Sequence, residues 1–135
     1  MAANAGLLAA RLLLTFLFVR SGLSAVADIA GTAAYFEGLG FPAPTLVAWS
    51  TGLFELLAGA FVLAGFWTTA AALLLAAFSL AAGFIGHFGQ GGEDAMLVFM
   101  HSQALMKDVA IAGGFLALAV AGAGAWSVDA RWREP

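Results

Sequence analysis

Apolar residues run almost unbroken through four stretches of this chain, roughly residues 6–27, 44–65, 68–87 and 102–124. Each is close to the ~20 residues that a helix rising ~1.5 Å per residue needs to cross a ~30 Å hydrocarbon core. Backbone groups in lipid must be satisfied within the segment, so helices are the form these stretches take. Between the first two, Ile29, Ala33, Phe36 and Gly40 recur at helical spacing opposite Thr32 and Glu37. That spacing predicts a short interfacial helix between Asp28 and Gly38, with an ordered turn as its alternative. Pro42 and Pro44 sit where proline helps to open the next helix. Phe66 and Trp67 leave a turn too short for anything but an antiparallel hairpin. The expected fold is therefore all-α: one integral membrane domain over residues 1–135, a four-helix bundle with short loops.

Composition strengthens this reading. Of 135 residues, 63% are apolar and 10% charged, with mean hydropathy +0.99, against about 45–50% and about 25% in an average soluble domain. A net charge of −3 provides no basic face for nucleic acid. The absence of cysteine removes disulfides, thiolate chemistry, iron–sulfur clusters and covalent c-type haem. Arg11, the apolar run after it and Ala25-Val26-Ala27 mimic a signal peptide, but Arg20 follows the run directly, so an uncleaved first span is expected.

Arg131 and Arg133 follow the last span and Arg11 lies near the start of the first, whereas the loops 28–43 and 88–101 have no Lys or Arg and hold Asp28, Glu37, Glu93 and Asp94. The positive-inside rule then expects both termini in the cytoplasm of an inner-membrane protein, with Trp67, Trp126 and Trp132 at the inner interface and Tyr35 and Trp49 at the outer one. Small residues should carry helix packing: Gly52 and Gly59 in the second span, Ala72, Ala76 and Ala77 in the third, Gly113 and Gly114 in the fourth.

Five ionisable groups fall within the spans: Arg11, Arg20, Glu55, Lys107 and Asp108. Such groups are costly in lipid and usually face the bundle interior, pair, and mark function. Arg11, near the inner end, is expected to snorkel to the headgroups. Arg20, Glu55, Lys107 and Asp108 lie at comparable depths, about 8–16 Å from the outer ends of their helices, and are expected to share one layer in which Glu55 meets Arg20 or Lys107. His87 and His101 would roof that layer, and Thr51 extends its polar stripe. Six residues thus form the candidate ligand site: Glu55, Lys107, Asp108, Arg20, His101 and His87. No metal is expected there, and haem is disfavoured because the histidines, with Glu93 and Asp94, form no compact ligand motif. The alternative is that the charges are buried ion pairs fixing helix register.

Six short segments occur in a characteristic order: Ser21-Gly22-Leu23-Ser24, Gly38-Leu39-Gly40-Phe41-Pro42, Glu55-Leu56-Leu57-Ala58-Gly59, Gly65-Phe66-Trp67-Thr68, Lys107 through Gly114, and Gly124-Ala125-Trp126-Ser127-Val128-Asp129. Together they resemble the DoxX/DoxD family of small four-helix bacterial membrane proteins, over nearly the whole chain. The sequence departs from that pattern at Ala25, where members often carry lysine, at Thr69, where arginine is frequent, and at Asp108, where asparagine is common. The resemblance implies association with quinone-linked redox systems, as a small membrane subunit of thiosulfate:quinone oxidoreductase, of terminal oxidase assemblies or of a complex with a sulfurtransferase and a superoxide dismutase. It carries over Glu55 and Lys107 as site residues. The expected function is a membrane subunit that binds quinone noncovalently, with membrane lipid around it and a redox protein or a second copy as partner. Glu55 and Asp108 would exchange protons, and Lys107 and Arg20 would donate hydrogen bonds. The alternatives are a non-catalytic anchor that recruits partners and a small transporter, the latter disfavoured by the lack of an inverted repeat.

Overall fold

The hydropathy pattern resolves into helices whose ends are set by local chemistry. The computed structural model describes residues 1–132 and contains α1 (Ala2–Ala27), α2 (Ile29–Gly38), α3 (Pro44–Ala64), α4 (Thr68–His87), α5 (Ala95–Ala121) and α6 (Val128–Trp132). Among the described residues there is no strand. Helices α1, α3, α4 and α5 are long and apolar enough to cross a membrane. The short helix expected after the first span is α2, and the Asp28 carboxylate starts it by accepting from the Gly31 amide at 2.9 Å. Pro44 opens α3, where its missing N–H is not needed.

Three boundaries depart from the hydropathy pattern: α1 begins at Ala2 rather than near residue 6, and both ends of α5 shift. Helix α5 begins at Ala95 rather than near Ser102 because Asp94 caps it, accepting from Met96 and Leu97 amides at 2.9 and 3.2 Å. It ends at Ala121 because Gly122 turns the chain at φ +79. Its 27 residues extend roughly 40 Å, longer than the ~30 Å hydrocarbon core.

The bundle is built from two closely packed pairs, α1 on α3 and α4 on α5, joined through the α3–α4 hairpin, with α2 laid across α3 and α1. Small residues bring the first pair together. A Cβ on Gly22 would lie 2.8 Å from the Gly52 carbonyl oxygen, and one on Gly59 3.3 Å from Val19. Ala72 and Ala76 are buried in the core, and Gly114 accepts Leu14. Ala77 and Gly113, expected to pack in the same way, instead face outward, and nothing lies within 4 Å of a Cβ built on Gly113. Phe18, Val62, Leu75 and Phe115 form the centre of the core, with Phe18 edge-on to Phe115 at 5.4 Å.

Arg11 does not snorkel. It is 2% exposed and donates to the carbonyl oxygens of Ala123 at 3.1 Å and Trp126 at 2.7 Å. The segment after α5 folds back over the end of the bundle and presents those carbonyls to the guanidinium. Asn4 completes the closure by accepting from the Ala125 amide at 3.0 Å. Both described chain ends therefore lie at one end of the bundle, and α2 lies at the other. Arg133, used above to orient the chain, falls outside the described residues.

Candidate functional site

Beneath α2 the bundle opens into a cavity of about 710 Å³. Each surrounding helix contributes according to its period. Helix α1 buries Arg11, Thr15, Phe18 and Gly22 on one face, and Ser21 and Ser24 at its edge reach the cavity. Thr51 and Glu55, one turn apart on α3, form the polar flank. Phe78, Ala82 and Ile85 on α4 form an apolar wall, while Tyr35, Phe36 and Leu39 hang from α2 and the turn after it as a roof. Phe36 is held edge-on to Tyr35 and Phe41, both at 5.4 Å.

Glu55 lines this cavity, without the Arg20 or Lys107 partner expected for it. It is half-buried in this cavity with the Ser21 hydroxyl beside it, and its Oε2 is buried without a hydrogen-bond partner. Thr51 donates to the carbonyl oxygens of Val47 at 2.9 Å and Ala48 at 3.2 Å, leaving its oxygen free to accept.

The single charged layer expected from depth does not form. Arg20 sits two residues from both Phe18 and Gly22, about 200° around the helix from the packed face. It is exposed beside Phe16, Val19 and Leu23. Lys107 is likewise exposed, one residue around from Asp108. Neither forms an ion pair with Glu55; among the described residues His87 and Asp108 lie within ion-pair distance, Nε2 to Oδ2 at 3.8 Å, and are charged partners only when the imidazole is protonated. Matching depths place charges on a common level, but facing directions decide whether they meet.

Asp108, His87 and His101 form a separate row at the α4–α5 seam. Gly83 makes room for it, since a Cβ there would lie 2.9 Å from that of Asp108. The histidines meet through their Nδ1 atoms at 2.9 Å. Tyr35, the chain's one tyrosine, lies between row and cavity. Its hydroxyl rests over Gly86, where a Cβ would come within 2.7 Å of it. Burial, and then the nearby Asp108 carboxylate, raise its pKa above the ordinary phenol value. Sequence reasoning missed Tyr35, Ser21 and Gly86 as cavity residues; of these only Ser21 carried a signal, through the Ser-Gly-Leu-Ser segment. No group of three or more potential metal ligands occurs among the described residues.

These features define a small helical membrane protein of four candidate spans with a roofed cavity, apolar on one side and hydroxyl- and carboxyl-bearing on the other. Residues 6–88 match the DoxX family, and the chain belongs to it. It is 36% identical over 131 residues to inner membrane protein YqjF of Escherichia coli (strain K12), covering 93% of this chain and 91% of that one. To inner membrane protein YphA of the same organism it is 34% identical over 130 residues, covering 93% and 89%. No solved structure gives a significant match.

Proposed function

We propose that this chain is a small inner-membrane subunit of a quinone-linked redox complex, and that the cavity beneath α2 receives the head of a quinone-class amphiphile. The observation that carries the reading is the buried, unpartnered Oε2 of Glu55 in a cavity lined by aromatic and aliphatic side chains together with Ser21, Ser24, Asp28, Thr32 and Thr51. An unsatisfied buried oxygen is expensive to keep, and a ligand that hydrogen-bonds it removes the cost. The volume of about 710 Å³ falls in the ~300–1,000 Å³ range of small-molecule sites.

When bound, a quinone supplies two-electron redox chemistry in which its oxygens take up or release protons. Glu55 holds a proton at Oε2 for one such oxygen, and Ser21 and Tyr35 donate hydrogen bonds. Phe36 and Phe78 confine a flat ring. Electrons come from a partner protein, because a chain without cysteine has no thiolate or iron–sulfur route of its own. The inner-membrane assignment extends that of the two relatives, and the positive-inside rule applied to Arg11, Arg131 and Arg133 supports chain ends in the cytoplasm.

A second reading, an anchor that recruits partner helices, is favoured by Arg20 and Lys107. Both are exposed on long helices, where a carboxylate from another subunit would neutralise them. The two readings are compatible, since electrons require a partner. The discriminating test is organic extraction of the purified chain followed by mass spectrometry. Quinone recovered near one per chain, and lost on Glu55→Gln, is the expected result. Recovery of bulk lipid alone would leave the anchor.

A further inference from the structure

The Asp108–His87–His101 row lies beside the cavity, and binding an amphiphile there gives it no role. Two imidazole nitrogens of the same kind 2.9 Å apart are at hydrogen-bond length. They can share that bond only if one ring carries its proton on Nδ1 and the other presents a lone pair there. The two rings are therefore not both protonated, and their tautomers are opposite. If His101 donates through Nδ1, His87 carries its proton on Nε2, the nitrogen that faces Asp108 Oδ2 at 3.8 Å. Each ring then donates on the side toward Asp108, and His101 is left with an accepting Nε2.

We infer that His101, His87 and Asp108 form a proton relay that runs from the loop at the α2 end of the bundle to Asp108, beside the Tyr35 hydroxyl at the rim of the cavity. A proton from water adds to Nε2 of His101. The Nδ1 proton of His101 passes to Nδ1 of His87, and the Nε2 proton of His87 passes to the Asp108 carboxylate. One proton has moved, no electrons have, and both rings end neutral with the shared hydrogen bond reversed. The final gap, 3.8 Å, exceeds hydrogen-bond length and is closed by side-chain rotation or one water. The Tyr35 hydroxyl, whose pKa burial and the nearby Asp108 raise, lies over Gly86 and on the cavity wall.

The neighbouring ionisable groups do not interrupt this row. His87 faces Asp108 from α4, and Tyr35 faces it from α2. Lys107 on the same helix is exposed, Asp94 is engaged in capping α5, and Glu93 is exposed in the loop. The use of the delivered proton in the cavity rests on the quinone reading above, whereas the relay itself does not.

The relay can be read without any quinone. In the full chain in lipid nanodiscs, nitrogen NMR of labelled histidine should show opposite tautomers coupled across the shared bond. After a light-triggered proton jump, the carbonyl stretch that disappears in Asp108→Asn reports protonation of Asp108. His101→Phe should slow its appearance about tenfold or more, and added imidazole should restore it. His101→Asn, which keeps size and polarity without proton transfer, should behave as the Phe variant does if the latter folds poorly. An unchanged rate in both variants, failure of imidazole to rescue, matching tautomers, or stoichiometric Zn²⁺ binding that needs His101 would each overturn the relay. Absence of extractable quinone would sink the cavity reading while leaving this measurement standing.

Discussion

Asp129 caps the N-terminus of α4 across sixty-one residues of sequence, its Oδ2 accepting from the Thr68 amide at 2.9 Å and its Oδ1 from the Trp67 amide at 2.8 Å. The helix has no side-chain cap of its own, and its first turn follows Trp67 at φ +45. In return the Asp129 amide donates to the Gly65 carbonyl oxygen at 2.8 Å. The Gly-Phe-Trp-Thr and Gly-Ala-Trp-Ser-Val-Asp segments, far apart in sequence, are thus one structural unit, closed from beneath by Arg11.

Asp129→Ala should uncap α4 and loosen this unit. A loss on the order of 1–2 kcal/mol is expected for a cap removed, read as a lower melting temperature in detergent. Ligand recovery from the cavity, at the opposite end of the bundle, should be unchanged.

Gly22, at the α1–α3 contact, and Gly113, expected to pack but facing outward, should diverge. Gly22→Ala forces a methyl to within 2.8 Å of both the Gly52 carbonyl oxygen and Leu56, so α1 and α3 must separate at a cost of about 1–3 kcal/mol. Gly113→Ala meets nothing within 4 Å and should stabilise α5 by roughly 0.5–1 kcal/mol through lost unfolded-chain freedom. Paired melts of the two variants check both signs.

The contrast between Gly22 and Gly113 shows how far the sequence could be read. Span number, the α3–α4 hairpin and the α2 helix were legible because length, turn residues and period mark them. Azimuth was not. A soluble helix advertises its buried face by polarity, but in α1 and α5 the lipid side is as apolar as the core, so nothing distinguishes Phe18 from Phe16 or Gly114 from Gly113. Arg20 and Lys107 were placed inward on depth alone and proved to face out. Arg11 was read as an interfacial residue because its acceptors, Ala123 and Trp126, lie more than a hundred residues away. Glu55 was legible because a lone carboxyl midway along an apolar helix has few places to go.

Topology can be read with single cysteines, since the chain has none. Glu93→Cys and Ala125→Cys lie exposed at opposite ends of the bundle. An impermeant maleimide applied to intact cells should label the first and not the second, as expected from basic residues held on the cytoplasmic side. Efficient labelling at position 125 with none at 93 would invert the orientation.

Glu55→Gln separates a structural carboxylate from a functional one, and the structure sets the expected sign. Were Glu55 paired with Arg20 or Lys107, the amide would strand a buried cation and destabilise the fold by several kcal/mol. Both cations instead lie exposed, and Oε2 has no partner, so the substitution strands nothing. It replaces a group that is costly to bury when ionised with a neutral one of the same shape. The melting temperature should therefore stay level or rise. Binding should move the other way. With decylubiquinone as probe, titrated into the chain in nanodiscs, the amide should weaken affinity about tenfold, ~1.4 kcal/mol, because an amide N–H is a weaker donor to the ligand oxygen than a carboxylic acid O–H. A drop in melting temperature with unchanged probe affinity would mark Glu55 as a packing residue and empty the quinone reading of its central group.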